Sequence, residues 1–323
     1  MLLWTGAPNP PFDHHRAKML PSRPPASMKP SHQRTKHLCH APIEFTRASK
    51  RKHRQQITTT KATPSSSALP TNSPTSGEIS IWPITNIPAE IWQLAAICIS
   101  ACISLLLMEF VANETVFAQF FPPHPGPADS YWVLRFKLWW VTWAVIAYIA
   151  LPAIVMLLLP GERLRDCNLS WQGFRQHYSV YVMLYAAVLP VIWLVSLSPD
   201  FYNFYPMYGQ AGRSWFDLLA WEGLYAGQFV ALEFFFRGFL VGGLSRYIGI
   251  FAVPVSVMPY MMIHFTKPWP EALASIVAGL VLGSLAWKTK SIWGGVCVHC
   301  AVAITMDFLA LSHKGQLPGF HNY

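Results

Sequence analysis

Charged side chains are scarce in this chain: they make up 12% of its 323 residues, about half the share of an average soluble domain. So few charges cannot cover a water-facing surface of ordinary composition, and a mean hydropathy of +0.30 points the same way. Acids are scarcest at the start. Only Asp13, Glu44 and Glu78 lie in the first 85 residues, against twelve Lys and Arg between positions 16 and 61. The rest of the chain carries twelve of each sign, so the net charge of +9 belongs entirely to the N-terminal stretch. A disulfide framework is also missing. Of Cys39, Cys98, Cys102, Cys167, Cys297 and Cys300, four sit in apolar runs, where cysteine behaves as a small hydrophobe. They give no reason to infer an oxidising compartment. Nor is there an inverted repeat of broken helices, which counts against a secondary transporter.

What is present divides the chain into parts. Residues 1–85 are rich in Pro, Ser, Thr, Lys, Arg and His, without apolar periodicity, and read as a disordered basic tail. The run Lys50-Arg51-Lys52-His53-Arg54 suits anionic lipid headgroups on the cytoplasmic side better than nucleic acid. Residues 86–130 read as a first membrane span with its connector, 131–312 as a helical membrane core, and 313–323 as a short C-terminal tail. The predicted fold class is all-α: a polytopic membrane helix bundle of about seven spans.

Those spans follow from length and apolarity, since lipid leaves a backbone no partner but its own helix. They fall near 91–111, 133–159, 178–197, 216–244, 248–264, 273–287 and 292–311, the fifth and sixth being short. Alternate connections are basic, with Arg163, Arg165 and Arg175, then Arg246, then Lys288 and Lys290. This pattern puts the N-terminus in the cytoplasm of a plasma (inner) membrane and makes the protein an integral, multi-pass one.

Ionisable residues inside such spans call for an explanation, because each costs several kcal/mol unless paired or hydrated. Glu233 and Arg237 lie four apart, on one helix face. His264 closes the fifth span and His299 lies in the seventh. An acid, a guanidinium and two imidazoles from three helices can meet only in the bundle interior. A carboxylate there can deprotonate water, while imidazoles stabilise an oxyanion or bind a metal; both routes lead to hydrolysis. A zinc site from Cys297, His299 and Cys300 is disfavoured, because position i+2 on a helix points away from i and i+3.

The order of these blocks resembles the CPBP intramembrane protease family, which includes the type II CaaX prenyl endopeptidases and bacteriocin-processing relatives. Its signature is Glu-Glu-x-x-x-Arg, then aromatic-x-x-x-His, then a His about four residues before an Asn. Here Glu233 with Arg237, Tyr260 with His264, and His299 match, over about 131–311, and the stretches after His264 and around Trp293 look like a bacterial branch. Leu232 and Ala303 stand where the family has its first Glu and its Asn. The resemblance implies a membrane-embedded endopeptidase acting on a membrane-associated peptide or protein. Glu233, Arg237, His264 and His299 are then catalytic, and a divalent metal such as zinc on His264 and His299 is one form of the chemistry. In the family the first Glu is the proposed base. Glu233, turned about 100° from it, either takes over that role or belongs to a non-catalytic relative acting as a peptide-binding scaffold, immunity or maturation factor. A second polar layer of Glu222, Asp307, Lys267 and Glu271 is expected one level away; the alternative for Glu222 is simple hydration at the interface.

Overall fold

A computed structural model describes residues 88–123 and 131–319; the basic tail lies outside the described residues. Helices dominate them. α1 (Ala89–Phe110) leads to a short α2 (Glu114–Phe120). α3 (Trp132–Val145) runs through a π-helical turn at Ile146–Ala150 into α4 (Leu151–Leu158). α5 (Trp171–Ser196) and the one-turn α6 (Pro199–Phe204) follow. α7 (Trp215–Glu233) continues through a π-helical segment, Phe234–Gly243, into α8 (Leu244–Ile248) and, past Gly249, α9 (Ala252–Met262). α10 (Trp269–Thr289) and α11 (Trp293–Lys314) complete the bundle. Among the described residues extended backbone pairs only at an isolated bridge, Leu169 with Ser291.

Among the described residues six helical segments are long and apolar enough to cross a membrane, where about seven were expected. The difference lies in α9. Its eleven residues rise about 16 Å, half a hydrocarbon core, and it joins α7 and α8 in one 48-residue helical run. Gly249, at φ +59°, makes the bend that lets α9 fold back. The outward faces carry Ile99, Leu106, Val182, Met183, Leu194 and Val277, all exposed. That apolar exterior suits lipid and would be a liability in water.

Local sequence explains where α7 begins and how it changes. Ser214 caps it by accepting the Asp217 N–H at 3.1 Å, and its hydroxyl returns 2.6 Å to Asp217 Oδ2, a reciprocal cap of the kind that fixes helix starts. Arg213 Nη2 pairs with Asp217 Oδ1 at 2.6 Å. At the other end of α7 the winding loosens to π geometry, as helices often do at functional sites. Two glycines let the connection after α4 pack against that segment. A Cβ on Gly242 would stand 2.4 Å from the Asp166 carbonyl, and one on Gly238 2.9 Å from that of Cys167. Asn168, in left-handed backbone at φ 53°, donates to the Arg237 carbonyl at 2.8 Å. Burial pushes the Cys167 thiol up to about 12, which marks it as packing rather than chemistry.

The basic connections gather at one end of the bundle. Arg246 donates to the Gly161 carbonyl at 2.9 Å and reaches Glu162 at 3.1 Å, and the Ser170 N–H bonds the Lys290 carbonyl at 2.8 Å. Packing at the π segment is testable with two glycines of the same helical run. Gly242→Ala meets a backbone carbonyl that cannot yield, so it should lower unfolding stability in detergent by about 1–3 kcal/mol. Gly223→Ala meets nothing within 4 Å and should be neutral or raise stability by up to about 1 kcal/mol.

Candidate functional site

Glu233 ends α7, Arg237 lies one turn on in the π segment, Tyr260 is on α9 and His299 on α11. Glu233 is fully buried and Arg237 2% exposed. Glu233 Oε1 lies 3.1 Å from Arg237 Nη1 and 2.7 Å from His299 Nδ1. The first is an ion pair and the second a close contact, neither with hydrogen-bond alignment, and Glu233 Oε2, both Arg237 Nη atoms and His299 Nδ1 have no aligned hydrogen-bonding partner among the described residues. Taking two such charges out of water costs several kcal/mol each unless they compensate one another. Here they do so at contact.

α11 comes this close because its first turn is Gly294-Gly295. A Cβ on Gly295 would stand 2.2 Å from Glu233 Oε2, and one on Gly294 2.1 Å from the Tyr181 ring. The His299 ring stacks on Phe229 at 5.2 Å with 5° between planes. Its Nε2 meets the Tyr260 hydroxyl at 3.0 Å. The Arg237 guanidinium lies over the Tyr260 ring, 4.0 Å from its centroid, a cation–π contact made stronger by desolvation.

The segment bearing Glu233, Tyr260 and His299 also matches a known family: residues 214–305 fit the family model of the type II CAAX prenyl endopeptidase, Rce1-like. That stretch of the chain is similar to the CAAX prenyl endopeptidases. No curated protein and no solved structure matches it.

The three motif blocks therefore meet in this bundle, but not all in one contact. His264 lies on the turn after α9, its Nδ1 2.8 Å from the Tyr260 carbonyl and its ring 4.8 Å from the Tyr260 ring. Burial, with Lys267 and His299 adding to it, pushes His264 down to about 4. At neutral pH it is uncharged, with its one proton given to a carbonyl. It thus offers a lone pair outward and no N–H, which removes the expected role of oxyanion donor from this imidazole.

Nor do these residues fit a metal. Among the described residues no three His, Cys, Asp or Glu side chains gather as ligands, whereas a catalytic zinc takes three from the protein. His299 has a contact at each ring nitrogen, and the Arg237 cation already stands against Glu233.

The family's two missing residues are filled differently. Leu232, 4% exposed, packs in the apolar cluster with Phe235, Phe236 and Phe239. Ala303 leaves a narrow crevice between α7 and α11, lined also by Glu222, Tyr225, Ala226, Phe229 and Cys300. Within the expected second layer, Asp307 and the Lys267–Glu271 pair take different hydrogen-bond partners. Asp307, fully buried, accepts from Trp221 Nε1 at 2.6 Å. Lys267 pairs with Glu271 at 3.3 Å and donates to the Tyr205 hydroxyl at 2.8 Å, and that hydroxyl bonds Glu271. Both carboxylate oxygens of Glu222 are buried without a hydrogen-bonding partner among the described residues. Tyr260 entered the sequence reading only as a motif match, and Asn168 and Trp221 not at all. The Gly-Gly pair four residues before His299 is the one signal that foretold a close helix approach.

Two outcomes test this geometry. Arg237→Gln strips the buried carboxylate of its cation and should cost about 3–5 kcal/mol, with part regained in the double variant Glu233→Gln/Arg237→Gln, as read by unfolding in detergent. For His264, the folded state holds the proton less tightly than an unfolded chain at about 6.5. The folded protein should therefore lose stability as pH falls from about 6.5 toward 4. That loss should shrink in His264→Gln.

Proposed function

We propose that this protein is a membrane-embedded endopeptidase that hydrolyses a peptide bond of a membrane-associated peptide or protein. Glu233 takes a proton from water as the water oxygen bonds the carbonyl carbon. The carbon–nitrogen bond then breaks and the leaving nitrogen takes up that proton, giving a carboxylic acid and an amine. Arg237 holds the carboxylate in place through Nη1, and its Nη2 is the donor offered to the charge that develops on the carbonyl oxygen. His299 orients Glu233 from the other side. The observation that carries the reading is the buried Glu233 held between guanidinium and imidazole, with Oε2 left unpartnered. Because Glu233 has no exposed surface, turnover requires the α7–α11 seam to open to water. The basic end, with Arg246 and Lys290, faces the cytoplasm by the charge rule.

A second reading has its own support. Leu232 places apolar bulk where the family keeps an acid, so the cavity could bind a membrane peptide without cleaving it, as a scaffold, immunity or maturation factor does. Glu233→Gln in proteoliposomes separates the two. The peptidase reading expects processing of a peptide library to fall at least about 10²-fold with peptide binding retained. Cleavage continuing at the original rate would sink it. If the unsubstituted protein binds peptides and cleaves none, the scaffold reading stands. Added chelator should leave the rate unchanged, measured against a zinc peptidase control.

A further inference from the structure

The hydrogen-bond inventory of the site assigns a task to Tyr260 that motif matching does not. A neutral imidazole carries one N–H and one lone pair, and its neighbours decide which nitrogen holds which. His299 Nδ1 lies 2.7 Å from the Glu233 carboxylate, which can only accept while ionised. The proton therefore belongs on Nδ1 and the lone pair on Nε2. That lone pair faces the Tyr260 hydroxyl at 3.0 Å, so the phenol is the donor.

Carboxylate, imidazole and hydroxyl thus stand in one chain, an order that elsewhere orients and activates a catalytic histidine. The hydroxyl is not free to attack a substrate. Tyr260 is 2% exposed, its ring is covered by Arg237 and meets the edge of Phe236 at 5.1 Å. Its carbonyl meanwhile accepts from His264 Nδ1. One residue therefore touches Arg237, His264 and His299 through three different parts of itself.

We propose that Tyr260 is a positioning residue: its hydroxyl, donating to His299 Nε2, fixes the Nδ1–H tautomer and turns that proton toward Glu233. This deepens the hydrolytic reading and rests on it for its catalytic consequence, but the tautomer itself can be measured without any turnover. A further result follows from the same inventory. Neither imidazole presents an N–H outward and the Tyr260 proton is given to His299, so the donor left to this site is the Arg237 guanidinium.

The test uses the full chain in nanodiscs with ¹⁵N-labelled histidine, the His299 signals being those lost in His299→Asn. The expected spectrum has a protonated Nδ1 and an unprotonated Nε2, and Tyr260→Phe should convert it to a mixture of tautomers while the unfolding midpoint stays within a few degrees. An Nε2–H tautomer in the unsubstituted protein, or an unchanged spectrum in Tyr260→Phe, overturns the proposal. If Tyr260→Phe does not fold, difluorotyrosine at position 260 supplies a stronger donor and must move the Nε2 resonance; a fixed resonance overturns it equally. Where peptide processing is measured, Tyr260→Phe should lower kcat by on the order of 10²-fold with KM kept, and a rise in KM alone overturns the positioning role. A tautomer change in a protein that cleaves nothing would uphold the role of Tyr260 and remove the peptidase reading.

Discussion

The contact between Glu233 and Arg237 is the constraint around which the rest of the bundle is arranged. Lipid offers neither charge a partner, and an uncompensated buried ion would cost several kcal/mol, a large share of the stability most folds possess. The two side chains therefore have to be brought together and enclosed. The four-residue spacing puts them on one face, and the π-wound segment between them adjusts how they meet. Every neighbouring element then supports the pair: Tyr260 covers the guanidinium, His299 approaches the carboxylate, and Gly295 lets α11 come near enough for that approach. The same enclosure strengthens each electrostatic contact inside it, since little solvent remains to screen them.

The departures from the family pattern gain meaning in this setting. Leu232 is part of an apolar cluster with its neighbouring aromatics, so the face of α7 that carries an acid in relatives is here a packing face. Ala303 widens the seam between α7 and α11 beside Phe229, which stacks on His299. The Tyr260 hydroxyl reaches His299 from a third helix. A site can thus lose two of its expected residues and still keep an acid, an imidazole and a cation in contact.

Much of the architecture was legible in the residues. Spans were readable because hydrocarbon demands about twenty apolar residues in a row, and α1, α3–α4, α5, α10 and α11 fall where that rule put them. The fifth span was read as short, and α9 spends only eleven residues in helix before turning at His264; its end was not legible because apolarity does not record where a helix stops. The pairing of Glu233 with Arg237 was readable from spacing alone. That Lys267 and Glu271 belong with Tyr205 rather than with Asp307 was not, since Tyr205 lies over sixty residues away in sequence and carries no motif.

The sequence by itself determined that the chain crosses a membrane, that its positive excess sits in a separate tail, and that an acid–base pair shares a face of one apolar helix. Those are properties of composition and period, which need no partner segment to be true. Only the tertiary structure decided which imidazole meets Glu233 and which does not. His264 and His299 are equivalent as letters, but the first bends back to a carbonyl of its own helix while the second is carried in by Gly294-Gly295. Contact between helices depends on how closely their backbones can pack, and that distance is set by residues on both sides at once.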